Sequence, residues 1–261
     1  MTDQRNGAAG VRVTVWGENV HEHRDESVRR IYPDGMHETI AAALRARLDP
    51  TAVVRTATLD QPEHGLTEEI LETTDVMTWW GHAAHGAVDD AVVDAVCQRV
   101  YRGMGLLVLH SGHLSKPFRK LMGTSCNLRW RSAEDREVVW TVDPSHPIAE
   151  GVRDGFVIDR QEMYGEFFDI PRPDELVFIS GFSGGEVFRS GCTFRRGYGR
   201  IFYFSPGDQE FPVYHHPAVQ QVLANGVSWA WRRSGVQPEA YPLQRKEPGW
   251  FEPAGAARQD G

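Results

Sequence analysis

The sequence has little of what marks a secreted, membrane-bound or nucleic-acid-binding protein. Its three cysteines, Cys97, Cys126 and Cys192, are odd in number and far apart, which excludes a disulfide framework and a paired-cysteine zinc site. Each reads instead as a small buried hydrophobe. No window approaches the roughly 20 apolar residues that a membrane span needs, and the N-terminus has no apolar core of signal-peptide length. A cytoplasmic protein with no membrane partner is expected. Positive charge is short as well: 28 Lys and Arg stand against 36 Asp and Glu, a formal net charge of -8. Phosphate neutralisation needs a basic face, so no nucleic-acid partner is expected. The local cluster Lys116, Arg119, Lys120, Arg129 and Arg131 is too small to reverse that balance.

What is present is the material of an ordinary globular protein: 261 residues, 41% of them hydrophobic, with 26 glycines. Residues 1–10 are polar and glycine-rich and read as a flexible arm. VRVTV (11–15), VVRTATL (53–59), VMTWW (76–80) and GLLVL (105–109) read as strands, the last central because it is apolar on both faces. Between them, Met36, Ile40, Leu44 and Leu48 recur at helical spacing, Thr67 to Thr73 makes a short helix, and Val88, Val92, Val96 and Val100 line another. Short strand–helix alternation predicts right-handed crossovers and a mainly parallel sheet, an α/β layer structure. From about 114 to 175 the pattern loosens into Pro, Gly, Asp and aromatic residues and reads as loop-rich. ELVFIS (175–180), GEVFR (185–189) and RIFYFS (200–205) return to strands, and Pro217 opens a helix. No internal repeat or linker divides the chain, which predicts one domain over 11–232 followed by a Pro- and Gly-rich tail over 233–261.

In an open parallel sheet, ligands bind beyond the carboxyl ends of the strands. The first strand runs into WGENVHEH, the third into WWGHAAH and the fourth into LHSGH, so topology should gather His21, His23, His82, His85, His110 and His113 at one edge. Imidazoles with a carboxylate suit a divalent metal, zinc or manganese, and the reading assigns His21, His23 and His82 to it, with Glu18 or Glu22 as the carboxylate. The competing reading makes these histidines hydrogen-bonded loop anchors. His110-Ser111-Gly112 after a central strand resembles a nucleophile elbow, but Leu109 and His113 stand where small residues belong, so Ser111 reads better as a turn serine. His110 and His113, with Glu162 or Glu186 as acid or base, are the catalytic candidates. Glu166, Asp208 and Glu210 share the loop positions that make a carboxylate a candidate, and an ion pair such as Glu186 with Arg189 is the plainer alternative. Flat aromatic faces beside polar groups suit a sugar ring, so Trp16, Glu18, Trp80, Tyr164 and Arg189 are the candidate substrate contacts.

The segments VWGENVHEH, YPDGMHETIA, TDVMTWWGHAAH, GMGLLVLHSGHLSKPFRKLMGTSCNLRWR, EMYGEFFDIP, GGEVFRSGCTF and RIFYFSPGDQE, in that order, resemble the ThuA-like, or trehalose utilisation, proteins over roughly residues 11 to 232. The resemblance implies a flavodoxin-like α/β sandwich of the class I glutamine amidotransferase type. It also shows a departure: no cysteine stands at the elbow, and Asp208 and Gln209 occupy the late segment where amidotransferases carry their base. Amidotransferase chemistry is therefore not expected, nor is a nucleotide cofactor. The family context is sugar catabolism beside sugar dehydrogenases that make 3-keto disaccharides. A metal-assisted lyase or hydrolase acting on such an oxidised sugar is the leading expectation. The rival is a non-catalytic sugar-binding or scaffold protein that assists the dehydrogenase, and a hydrolase using Ser111 is a third. Exposed aromatics make a homo-oligomer a further expectation.

Overall fold

The computed structural model describes residues 10–231 and residue 250. Apart from Gly10 and Trp250, the arm and tail expected from the sequence lie outside the described residues. Among the described residues nine strands, numbered in chain order, form a single mixed sheet in the order β2-β1-β3-β4-β9-β8-β7-β5-β6. The first four are β1 (Arg12–Gly17), β2 (Val53–Thr58), β3 (Val76–Trp80) and β4 (Gly105–Leu109). They pair in parallel, and β4 pairs in parallel with β9 (Gly199–Phe204).

Beyond β9 the sheet turns antiparallel through β8 (Val187–Arg196), β7 (Glu175–Phe182), β5 (Arg129–Thr141) and β6 (Phe156–Gly165). Four of its eight strand pairings are antiparallel, which corrects the mainly parallel sheet expected from the sequence. The physical reason lies in the segment read as loop-rich, which holds β5 and β6. On β5 only Asp135, Glu137 and Val139 are buried, so no apolar alternation announces the strand. Antiparallel strands need only tight turns: Gly197, at φ +57°, supplies the left-handed residue of the two-residue link between β8 and β9.

The reading of β4 as apolar on both faces holds. Leu107 and Leu109 point into one core with Val13, Val15, Phe202 and Phe204. After the short α1 (His21–Arg24), that core is covered by α2 (Glu26–Ile31), α3 (Met36–Arg47) and α7 (Pro217–Ala230). Leu106 and Val108 point the other way, into a second core with Met77, Trp79, Ile201 and Tyr203. This one is covered by α4 (Glu68–Glu72), α5 (Asp90–Tyr101) and α6 (Lys116–Met122). Side chains of period two on a central strand therefore glue helices to both faces and hold the strand ends in fixed register. No helix among the described residues is long and apolar enough to cross a membrane.

Candidate active site

β4 ends at Leu109, and the next residue, His110, takes φ +47° before a short 3-10 turn over His110–Leu114 leads into α6. A left-handed conformation in a non-glycine residue costs about 1–3 kcal/mol and persists only where its surroundings hold it. Here the strained residue of the elbow is thus the histidine, and Ser111 is an anchor. Its Oγ donates to the Gly81 carbonyl at 2.8 Å, tying the end of β4 to that of β3.

His110 is fully buried. Its Nδ1–H donates to the Ser205 carbonyl at 2.7 Å, which fixes Nε2 as the outward atom. Nε2 faces Glu162 Oε2 at 3.2 Å on β6, Asp208 Oδ2 at 3.6 Å after β9, and the Tyr164 hydroxyl at 3.1 Å. The Tyr164 ring lies flat on the imidazole, with centroids 4.6 Å apart and planes within 5°. Burial opposes a charge on His110, but the hydrogen bonds and charges of Asp208 and Glu162 outweigh it and push the imidazole up to about 10. Asp208 answers in the opposite direction: burial raises it, yet His110 and the Glu210 N–H, which donates at 2.7 Å, bring it below the usual carboxylate range.

Behind these groups stands an inner layer. Gln161 Oε1 accepts from the backbone N–H of Glu162 at 3.1 Å and of Asp208 at 3.3 Å, so one amide oxygen sets the spacing of both carboxylates. Deeper still, Glu137 Oε1 accepts from Ser180 Oγ at 2.6 Å. Burial drives the Glu137 carboxyl up to about 7.

A cavity of about 300 Å³ opens above the cluster. His82, His113, Trp130, Glu162, Gln209 and Glu210 are among the residues lining it, together with Tyr164 and Asp208. His113 donates through Nδ1 to the Cys126 carbonyl at 2.7 Å, and burial pushes its imidazole down to about 3, so it is neutral. His82 is also displaced below its ordinary value, by burial first and then by His110 and His21. Its Nδ1 lies 2.7 Å from His21 Nε2. Glu18 holds the loop that carries His82: its two oxygens accept from the backbone N–H of His82 and Ala83, each at 2.8 Å. Trp130, near the start of β5, has 66% of its surface exposed and lines the cavity.

The structure therefore brings together His82, His110, His113, Glu162 and Tyr164 from the candidates in the sequence, with Asp208 and Glu210 beside them. The others lie elsewhere. Glu186 forms an ion pair with Arg131 at 2.5 Å, and Arg189 is clamped to Glu166 at 2.8 Å, so the pairing is not Glu186 with Arg189. Trp16 is stacked on Trp79 at 3.9 Å inside the second core, and buried Trp80 donates its indole N–H to the Gly207 carbonyl at 2.9 Å. His23 bonds Asn19 at 3.0 Å and does not join His21 and His82. Among the described residues, the metal-capable donors that converge are those of His110, Glu162 and Asp208, within 4.8 Å of one another, and not His21, His23 and His82. Gln161, Glu137 and Trp130 were not among the candidates. Only the mixture of apolar and acidic residues in RQEMYG hints at a strand with polar residues turned inward.

A family model described as trehalose utilisation, ThuA, matches residues 12–230. Reviewed protein sequences give no match. A ThuA-like protein of Bacteroides uniformis superposes with a TM-score of 0.60 at 15% identity, covering 88% of this chain and 95% of the other. A second, from Parabacteroides merdae, gives 0.57 at 13% identity over 90% and 93%. A cytoplasmic protein of Salmonella typhimurium gives 0.58 at 10% identity over 85% and 100%. At these identities the likeness is one of fold.

Proposed function

Because the chain belongs to the ThuA, or trehalose utilisation, family, we propose that it is a sugar-catabolic enzyme that cleaves an oxidised, 3-keto disaccharide or glycoside in the cavity above His110. The observation that carries the reading is the meeting, in one cavity, of acid–base groups from several strand ends with the exposed face of Trp130. About 300 Å³ lies at the lower end of ligand-pocket sizes, and an indole face beside hydrogen-bonding groups suits a sugar ring.

A ketone at carbon 3 acidifies the hydrogen at carbon 2. Removing that proton lets its electron pair form a double bond to carbon 1 while the bond from carbon 1 to the glycosidic oxygen breaks. His82 fits the base: it is neutral, lines the cavity, and a His82 Nδ1–H donated to His21 leaves its Nε2 lone pair outward. The departing oxygen takes its proton from Glu210, whose carboxyl is raised by partial burial and by Asp208. Water adding across the new double bond completes a net hydrolysis.

An amidotransferase-like layout is part of the same proposal, with His110 at the elbow position. Cys97, Cys126 and Cys192 are all buried, and burial raises each thiol, so no cysteine is offered as nucleophile. A functional link to the sugar dehydrogenase that makes the 3-keto substrate, and a homo-oligomeric state, belong to the proposal as well.

The test is to offer purified protein a 3-keto disaccharide and follow products by NMR, with and without added divalent ions. Turnover that falls in His82→Gln supports the reading. Tight sugar binding without product establishes the scaffold alternative instead, and neither binding nor turnover overturns both.

A further inference from the structure

At the floor of this cavity three groups that can donate electron pairs face one another, with the Tyr164 hydroxyl 3.1 Å from the same imidazole nitrogen. His110 Nδ1 must carry a hydrogen to satisfy the Ser205 carbonyl, which can only accept, so a neutral imidazole directs its Nε2 lone pair at Glu162 Oε2 and Asp208 Oδ2. Those atoms lie 3.2 and 3.6 Å away. Ligands about 2.1 Å from a common ion are separated by about 3.0 Å in octahedral and about 3.4 Å in tetrahedral arrangements. Both His110 separations thus lie near the spacing that a shared cation sets, and the three donor atoms all lie within 4.8 Å of one another. A second, independent feature points the same way: Gln209 is 5% exposed, lines the same cavity, and its Oε1 has no hydrogen-bond partner.

We propose that His110 Nε2, Glu162 and Asp208 are the protein ligands of one divalent transition-metal ion at the floor of the cavity. Two carboxylates with one imidazole form a mixed oxygen–nitrogen set suited to manganese or zinc, whereas all-oxygen sets suit calcium and magnesium. Charge favours a divalent ion over a proton in that role. With only a proton on Nε2 the cluster keeps a net negative charge, which repels the negative charge that grows on a carbonyl oxygen during proton removal. A divalent ion neutralises both carboxylates and still offers open positions. The carboxylates first expected to serve a metal are committed elsewhere, Glu18 to two backbone N–H groups and Glu22 to the Met36 N–H at 3.0 Å. The inference deepens the sugar reading by naming the ion at its site, but ion binding itself needs no sugar.

The experiment is isothermal titration of the full chain, stripped by a chelator, with manganese chloride and separately with zinc chloride. One ion per chain is expected. Asp208→Asn and Glu162→Gln should each weaken binding by roughly tenfold or more, while His23→Ala should leave it unchanged. Circular dichroism and thermal melts check that the variants fold. If either fails, ring nitrogen NMR of the wild-type protein during the zinc titration replaces it: the His110 Nε2 resonance must move while Nδ1 keeps its proton. No stoichiometric uptake by the folded wild-type chain overturns the proposal, as does uptake that survives both carboxamide substitutions or is lost in His23→Ala. Ion uptake without sugar turnover leaves the ion site standing and removes the sugar reading. Turnover by a chain that takes up no ion does the reverse.

Discussion

Glu137 should make the protein lose stability as pH rises, and the magnitude can be worked from its surroundings. It is 1% exposed, one oxygen accepts from Ser180, and the other has no partner, so the ionised form is poorly compensated. Its carboxyl is pushed from an ordinary 4.5 up to about 7. Between those values the folded chain holds a proton that the unfolded chain has lost. Its stabilising contribution is therefore fully present below pH 4.5 and is lost as pH rises through 7. The gap, at about 1.4 kcal/mol per pH unit, amounts to about 3 kcal/mol. Glu137→Gln keeps the shape and removes the charge. Urea melts at pH 5, 6, 7 and 8 should show the variant near wild type at pH 5 and more stable by up to about 3 kcal/mol at pH 8. Wild type and variant that run parallel across this range would refute the reasoning, because they would show Glu137 keeping the same charge in both states.

Two further outcomes are expected. His113 acts on the acid limb: its imidazole is held down to about 3 from 6.5, so the unfolded chain binds the extra proton first. The stability this gives is present above pH 6.5 and is lost as pH falls towards 3; His113→Gln should flatten that limb in chemical denaturation between pH 4 and 7. Trp130→Ala should weaken binding of a 3-keto disaccharide by up to about tenfold, the weight of one stacking contact, with a melting temperature close to wild type because the indole is largely exposed. A calorimetric titration beside a thermal melt checks both halves of that statement.

The parallel half of the fold was legible because its strands are what propensity rules look for. VMTWW and GLLVL are buried along their whole length and flanked by helices of clear period, and both strands form over the residues read from the sequence. β5 and β6 escaped because their inward positions carry Asp135, Glu137, Gln161 and Glu162 in place of an apolar row. A buried polar residue breaks the alternation that reveals a strand, and buried polar residues are what an active site requires. The hidden strands and the hidden half of the site are therefore one omission with one cause.

The same logic separates the aromatics. Trp16 stands near the end of an inner parallel strand, covered by helices, and so stacks within the core, whereas Trp130 starts a strand on the antiparallel side and stays in the open. Sequence position beside a polar loop does not distinguish the two. Which layer covers the strand does, and that depends on the sheet order. His110 was readable because its signal is local: an apolar run must stop somewhere, and the residue at the stop meets whatever the neighbouring strand ends deliver. Its partners were not, since Glu162 and Asp208 arrive from β6 and from the loop after β9, 52 and 98 residues further along the chain. What joins them is Gln161, a single side chain that bonds the backbone of both carboxylates. The separation of the two acids is thereby a property of the sheet rather than of either residue.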